Sequence, residues 1–204
     1  RQYDAIILPD VARETIAEGR AARHGDEDAR YVRPMPPEFA GGIGKEGAAS
    51  LKTFVEQGGT LVALNSSTDW VLENFNLPVR NVLTQLPRDQ FYIPGSLLRA
   101  SINRHPVSFG MPAETALMFD EGRAFQTSLP GAELDRAVLA AYPEDARDIL
   151  LSGWARGEER LTRRAAAVAV TFGKGRIVLF GFRPQHRAQT HATFPMLFNA
   201  LYWR

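Results

Sequence analysis

The sequence predicts an α/β domain: a mostly parallel sheet, helices on both faces and a late antiparallel hairpin. Two short runs, Asp4–Leu8 and Thr60–Leu64, hold no polar residue after their first position. Unbroken apolar runs of this kind suit strands buried on both faces of a sheet. An amphipathic helix lies between them, which makes a strand–helix–strand unit with a parallel, right-handed return. Near the end, Ala165–Thr171 and Arg176–Phe182 flank Phe172-Gly-Lys-Gly175, whose glycines suit a hairpin turn.

The first strand stops at Pro9. Residues 11–43 read as an irregular insertion, because Arg13 to Pro37 is polar, charged and punctuated by proline. Lys45–Gln57 reads as a helix. Ala48, Leu51 and Val55 fall at i, i+3 and i+7, with Phe54 beside them, and Gly58-Gly59 supplies a left-handed stop. After Leu64 comes the polar turn Asn65–Asp69, then a short helix over Trp70–Phe75 that Ser66, Ser67, Thr68 or Asp69 could cap. A polar turn between a buried strand's carboxyl end and a helix is where open α/β sheets place their sites. Leu77–Ala132, rich in proline and aromatics, predicts short strands and ordered loops. Strands follow at Arg136–Tyr142 and Ile149–Leu151. A closing helix covers Gln189–Trp203, with Pro195 tolerable only in its first turn.

At 204 residues and 45% hydrophobic content the chain fits one globular domain. Its 24 basic and 23 acidic residues leave a net charge of +1, which gives no electrostatic case for nucleic acid or an acidic membrane surface. No apolar run is long enough to span a bilayer. The lack of cysteine excludes disulfides, zinc–thiolate sites and a thiol nucleophile. The chain opens on Arg1 directly before an apolar run, and reads as a fragment of a longer polypeptide.

A strand ending Leu-Pro-Asp10, a buried strand entering a sharp polar turn, and a late strand running Val-Leu-Phe-Gly-Phe-Arg-Pro-Gln185 together resemble a class I glutamine amidotransferase-like domain. More closely, the chain resembles the version found at the C-terminal side of bacterial carboxypeptidase A-type zinc peptidases. Tyr3–Asp10, Pro36–Gly44, Glu56–Asn65, Leu77–Val82, Phe91–Ser96, His105–Pro112, Leu151–Trp154 and Gly175–Trp203 carry that likeness. It implies a flavodoxin-like fold over residues 1–204, lacking its N-terminal strand–helix–strand. It also implies an upstream peptidase-like partner domain in the same polypeptide, with zinc in that domain rather than here, homo-oligomer formation as an option, and a periplasmic or secreted location.

An active amidotransferase of this kind carries a Cys on the elbow after the central strand, with a late His and Glu to activate and orient. The matching positions here are Asn65 or Ser66, and Arg183-Pro184-Gln185. Arginine stays protonated and cannot act as a base. The resemblance therefore implies a relic site of Asn65, Ser66, Arg183 and Gln185, with no catalysis. Ser67, Asp69, Arg183 and His186 are candidate ligand-binding residues, since arginine clasps carboxylates. The opposing reading has Arg183 paired structurally with Asp10 or Asp69. The alternative function is a small-molecule serine hydrolase using Ser66 or Ser67 with His186, or with His191. That elbow lacks the glycines that usually relieve such a turn. His24-Gly-Asp-Glu27 matches the His-x-x-Glu zinc pair formally, but lies in the most polar stretch and has no third ligand. No metal site is expected in this chain. Trp154 reads as a core or interdomain contact, and Glu158-Glu159 as a solvated loop.

Overall fold

The computed structural model describes residues 2–19, 36, 40–128 and 135–203. The expected strand–helix–strand unit is present. Strand β1 (Ala5–Leu8) leads through helices α1 (Arg13–Glu18) and α2 (Gly44–Glu56) into β2 (Thr60–Leu64), which pairs with it in parallel. Leu51 and Val55 of α2 are buried, and Ala48 and Phe54 pack against the same cluster, as the periodicity requires. α1 stands inside the stretch expected to be irregular, with Ile16 as its buried anchor. His24 and Glu27 lie outside the described residues.

Helix α3 (Ser67–Phe75) begins three residues earlier than the sequence suggests, and no side chain caps it. The hydroxyls expected as caps bond backwards instead. Ser67 Oγ accepts from Leu64 N (2.9 Å), and Thr68 Oγ1 donates to the Asn65 carbonyl (2.6 Å). The remaining strands are β3 (Val79–Asn81), β4 (Pro94–Ile102), β5 (Glu114–Asp120), β6 (Phe125–Thr127), β7 (Arg136–Ala141), β8 (Leu150–Ser152), β9 (Ala165–Phe172) and β10 (Gly175–Phe180). Helix α4 (Phe194–Tyr202) closes the chain with Pro195 in its first turn. α4 is shorter than expected, because a 3-10 turn at His191–Thr193 occupies its predicted start.

The main sheet order is β1-β2-β10-β9-β7-β4-β5, with β3 and β6 attached through β9 and β8 through β4. The sheet is mixed, which corrects the expectation of a mostly parallel, plainly flavodoxin-like one. Among the described residues only β1–β2 and β2–β10 pair in parallel. A parallel return needs a long crossover, and among the described residues the chain between β4 and β10 contains no α-helix. The middle region, expected to hold short strands, carries a long antiparallel pair, β4 with β5, from Pro94 to Asp120.

Helices do cover both faces. Alternation along the strands sends Leu61, Ala63, Val168, Val170, Ile177 and Leu179 to the side of α1, α2 and α3. Val62, Ala167, Ala169, Val178 and Phe180 point to the other side, where Met196 and Ala200 of α4 complete the core with residues of β4, β5 and β7.

Candidate functional site

The parallel strands β1, β2 and β10 run in register, with Leu8 opposite Ala63 and Phe180 opposite Leu64. Their carboxyl ends therefore deliver Asp10, Asn65 and Arg183 to one edge. Asn65 sits between β2 and α3 with φ +50°, a left-handed conformation that Asn tolerates better than most residues. That angle lets a buried strand turn directly into a helix. Its backbone N–H donates to Phe180 O (2.7 Å) and extends the β2–β10 pairing by one step. Its side chain is buried. Nδ2 donates to Asp10 Oδ2 (3.0 Å) and to the Asp120 carbonyl (3.3 Å). Oδ1 is buried with no hydrogen-bond partner among the described residues.

Asp10 is the hub of this edge. It accepts from Asn65, from Ser66 N (3.1 Å) and from Arg183 Nε (2.5 Å). The second arm of Arg183, Nη1, bonds Asp120 Oδ2. One guanidinium thus bridges two carboxylates distant from each other in the sequence, in the forked geometry that arginine favours. Burial pushes the Asp10 carboxyl up. The hydrogen bonds from Asn65, Arg183 and Ser66 outweigh that and hold it below the ordinary carboxylate value. Burial likewise pulls Arg183 down, while Asp10 and Asp120 more than restore it. Two glycines permit the close approach. A Cβ on Gly122 would lie 2.7 Å from Gly181 O, and one on Gly181 would lie 2.3 Å from Arg123 O.

A second cluster stands beside the first. Asp69, in the first turn of α3, accepts from Asn81 Nδ2 (2.9 Å) and Arg123 Nε (2.9 Å). These groups form one wall of a cleft of about 290 Å³, with Gln85, Arg88, Tyr92 and Glu121 around it. Gln85 and Glu121 are both non-glycine residues at positive φ.

The candidate residues are thus brought together only in part. Asn65, Ser66 and Arg183 meet at Asp10. Ser67 is buried, and its hydroxyl is engaged by Leu8 O (3.1 Å) and by the backbone of Leu64. Gln185 is exposed and His186 half-buried just beyond Arg183. No hydrogen bond joins His186 or His191 to Ser66 or Ser67 among the described residues. Arg183 pairs with Asp10 as expected, but not with Asp69, which Arg123 holds. Trp154 is exposed, with Arg156 over its ring. Asp120, Arg123 and Asn81 escaped the sequence reading. The available signal was Thr115–Phe119, a strand-like apolar stretch closed by Asp-Glu-Gly122, which marks a strand end at the same kind of edge. Among the described residues no group of three or more His, Asp or Glu side chains could hold a metal ion, and no helix is long and apolar enough to cross a membrane.

No protein-family model matches the sequence, and no curated protein sequence does either. Solved structures do resemble it. Two cytoplasmic proteins of Salmonella typhimurium superpose with TM-scores of 0.51 at 16% identity, covering 98% of this chain and 71% of theirs. At that identity the likeness shows the fold alone. Structural neighbours also include a ThuA-like protein of Bacteroides uniformis (TM-score 0.43, 13% identity, 78% of this chain and 63% of that one). Another is a Thermoplasma acidophilum protein described as a GMP synthase component (0.46, 10%, 77% and 63%).

Proposed function

We propose that this chain is a non-catalytic domain of the class I glutamine amidotransferase-like type. It serves a larger zinc carboxypeptidase-like protein through interdomain packing, oligomerisation or ligand binding. The observation that carries the non-catalytic reading is the state of the elbow. Asn65 occupies the left-handed position after β2, its amide is held by Asp10 and Asp120, and Arg183 closes the space with two ion pairs. A nucleophile at an elbow needs a free base within reach; here the nearest groups are a protonated guanidinium and its carboxylates. The zinc-peptidase context, the partner domain and a periplasmic or secreted location rest on sequence resemblance alone.

For ligand binding the cleft beside Asp69 is favoured over Arg183, because Nε and Nη1 of Arg183 already bond Asp10 and Asp120. The serine hydrolase alternative is disfavoured by the engaged Ser67 hydroxyl and by the lack of a hydrogen-bonded base among the described residues. Two assays test the reading on the purified chain. Ammonia release from glutamine and labelling by a serine-directed fluorophosphonate are both expected at background. Glutamine turnover lost in an Arg183→Ala variant, or stoichiometric labelling at Ser66 or Ser67, would overturn it.

A further inference from the structure

Helix α4 carries no charged residue: its sequence is Phe-Pro-Met-Leu-Phe-Asn-Ala-Leu-Tyr. A helix apolar on nearly every side belongs in an interior. Here one side is covered and the other is not. Met196 and Ala200 are fully buried, whereas Phe198 is 55% and Tyr202 80% exposed. Four residues apart, these two rings share a face. Alongside, the segment from Arg104 to Met111 presents Phe109, also 80% exposed, and a groove of about 750 Å³ opens between segment and helix. Isolated exposed rings are ordinary, but a contiguous patch with a groove marks an interaction surface.

The groove is held in shape. Asn199 Nδ2 donates to Val107 O (3.2 Å) and Phe109 O (2.9 Å), tying the segment to the helix. His105 Nδ1 accepts from Val107 N (3.1 Å), and its ring meets Trp203 edge-on at 4.7 Å. A framework fixed in advance lowers the ordering cost of binding.

Its charge decides between occupants. Arg104, on the groove wall, is exposed and has no ion pair or side-chain hydrogen bond among the described residues. Arg176 is half-buried behind the groove, over the Trp203 ring at 5.1 Å, and adds positive charge without lining it. No Asp or Glu among the described residues lines the groove. A second copy docked through this face across a two-fold axis would set the patch against itself. The groove would then be its own partner, and among the described residues its lining offers no acid to pair with Arg104. A partner carrying a carboxylate beside its apolar side chains meets both needs: burial of Phe109, Phe198 and Tyr202, and pairing of Arg104.

We infer that the α4 groove docks a segment of another protein, one that places large apolar side chains between Phe109 and Tyr202 and a carboxylate opposite Arg104. This goes beyond the non-catalytic reading and does not depend on it. The test selects short random peptides displayed on phage against the whole chain. Winning peptides are then synthesised and measured by calorimetry against the native chain, Arg104→Glu, and the double variant Phe198→Ser with Tyr202→Ser. All changes are at exposed positions, and circular dichroism verifies that each variant is folded. The expected winners combine aromatic or large aliphatic residues with Asp or Glu. The double variant should weaken them about tenfold or more, and Arg104→Glu should weaken them while strengthening Lys-substituted versions. No enrichment, winners that are basic, or binding unaffected by either variant would overturn the proposal. So would a concentration-dependent dimer in sedimentation that the double variant abolishes, because the occupant would then be a second copy.

Discussion

At the carboxyl edge, Asp10, Asp120 and Arg183 are drawn from distant parts of the chain and each meets its counter-charge. Along α4, Arg104 meets none among the described residues, and the side chains of Phe109, Phe198 and Tyr202 stand largely in solvent. The edge has the composition of a site, yet its charges are paired within the fold, with Asn65 Oδ1 left without a partner among the described residues. The groove has no catalytic composition, yet it retains unmet binding capacity. Position in an α/β fold therefore points toward the edge, while unpaired charge and exposed apolar surface point toward the groove. The two regions should respond in opposite ways to mutation: edge changes should alter stability, and groove changes should alter association.

The largest effect is expected from Arg183→Ala. It leaves the Asp10 and Asp120 carboxylates without their shared counter-charge. The Arg183 side chain is 30% exposed, so the cost should lie between the roughly 0–1 kcal/mol of a surface pair and the 3–5 of a buried one, at about 2–4 kcal/mol. Chemical denaturation measures it. An unchanged midpoint would mean the edge is a solvated pocket, and the contrast with the groove would fail.

Arg123→Ala removes a guanidinium that serves one carboxylate, Asp69, rather than two. We expect a smaller loss, about 1–2 kcal/mol, because Asn81 still donates to Asp69. A loss equal to that of Arg183→Ala would make the two clusters one cooperative unit, which a double-mutant cycle would reveal.

Asn65 offers a finer probe. Asn65→Ala deletes two hydrogen bonds and leaves a Cβ at positive φ, whereas Asn65→Gly deletes the same bonds without that backbone cost. The alanine variant should therefore be the less stable of the two, by about 1 kcal/mol. Equal stabilities would show that the left-handed turn is not a source of strain.

How much of this contrast is readable from residues alone follows from the range of the interactions. The β1–α2–β2 unit is legible because alternation and a 3.6-residue period are local. Leu51 and Val55 can face only one way once Thr60–Leu64 is a strand. The pairing of Asp10 with Arg183 is legible through topology, since both follow strands of one sheet. The share of Arg183 taken by Asp120, and the capture of Asp69 by Arg123, are not. Both depend on how closely Gly122 approaches Gly181, a tertiary distance with no sequence period. The antiparallel β4–β5 pair is hidden for a related reason. Pro94 and Gly95 have the character of loop residues, and pairing with β5 overrides that local preference. The α4 groove is hidden because apolar periodicity cannot tell a face that packs within the chain from one left open.

Acid separates the two regions without mutation. The Asp10 pKa is lowered by folding, so Asp10 adds stability above its unfolded value near 3.9 and loses that contribution as pH falls through its lower folded value. Stability of the native chain should decline below about pH 4, and Asp10→Asn should flatten that decline while lowering stability at neutral pH. An acid limb that is identical in both proteins would assign the pH dependence elsewhere.

The smallest effect on stability is expected where the largest effect on binding is proposed. Phe198→Ser with Tyr202→Ser removes two rings from a helix whose buried side, Met196 and Ala200, stays intact. Little apolar area buried within the chain is lost, because Tyr202 is mostly in water and Phe198 more than half so. Surface substitutions of this kind usually change stability by no more than about 0.5 kcal/mol, and the loss of two partly packed rings sets an upper bound of about 1. The same pair of changes made on the inner face, Met196→Ser with Ala200→Ser, should cost several times more, since it buries hydroxyls in the cluster around Phe180 and Phe182. Comparing the two double variants by thermal denaturation measures the asymmetry of α4 directly. If the outer pair proved as costly as the inner pair, Phe198 and Tyr202 would be structural residues of the isolated chain, and the groove would lose its claim to be a surface held open for a partner.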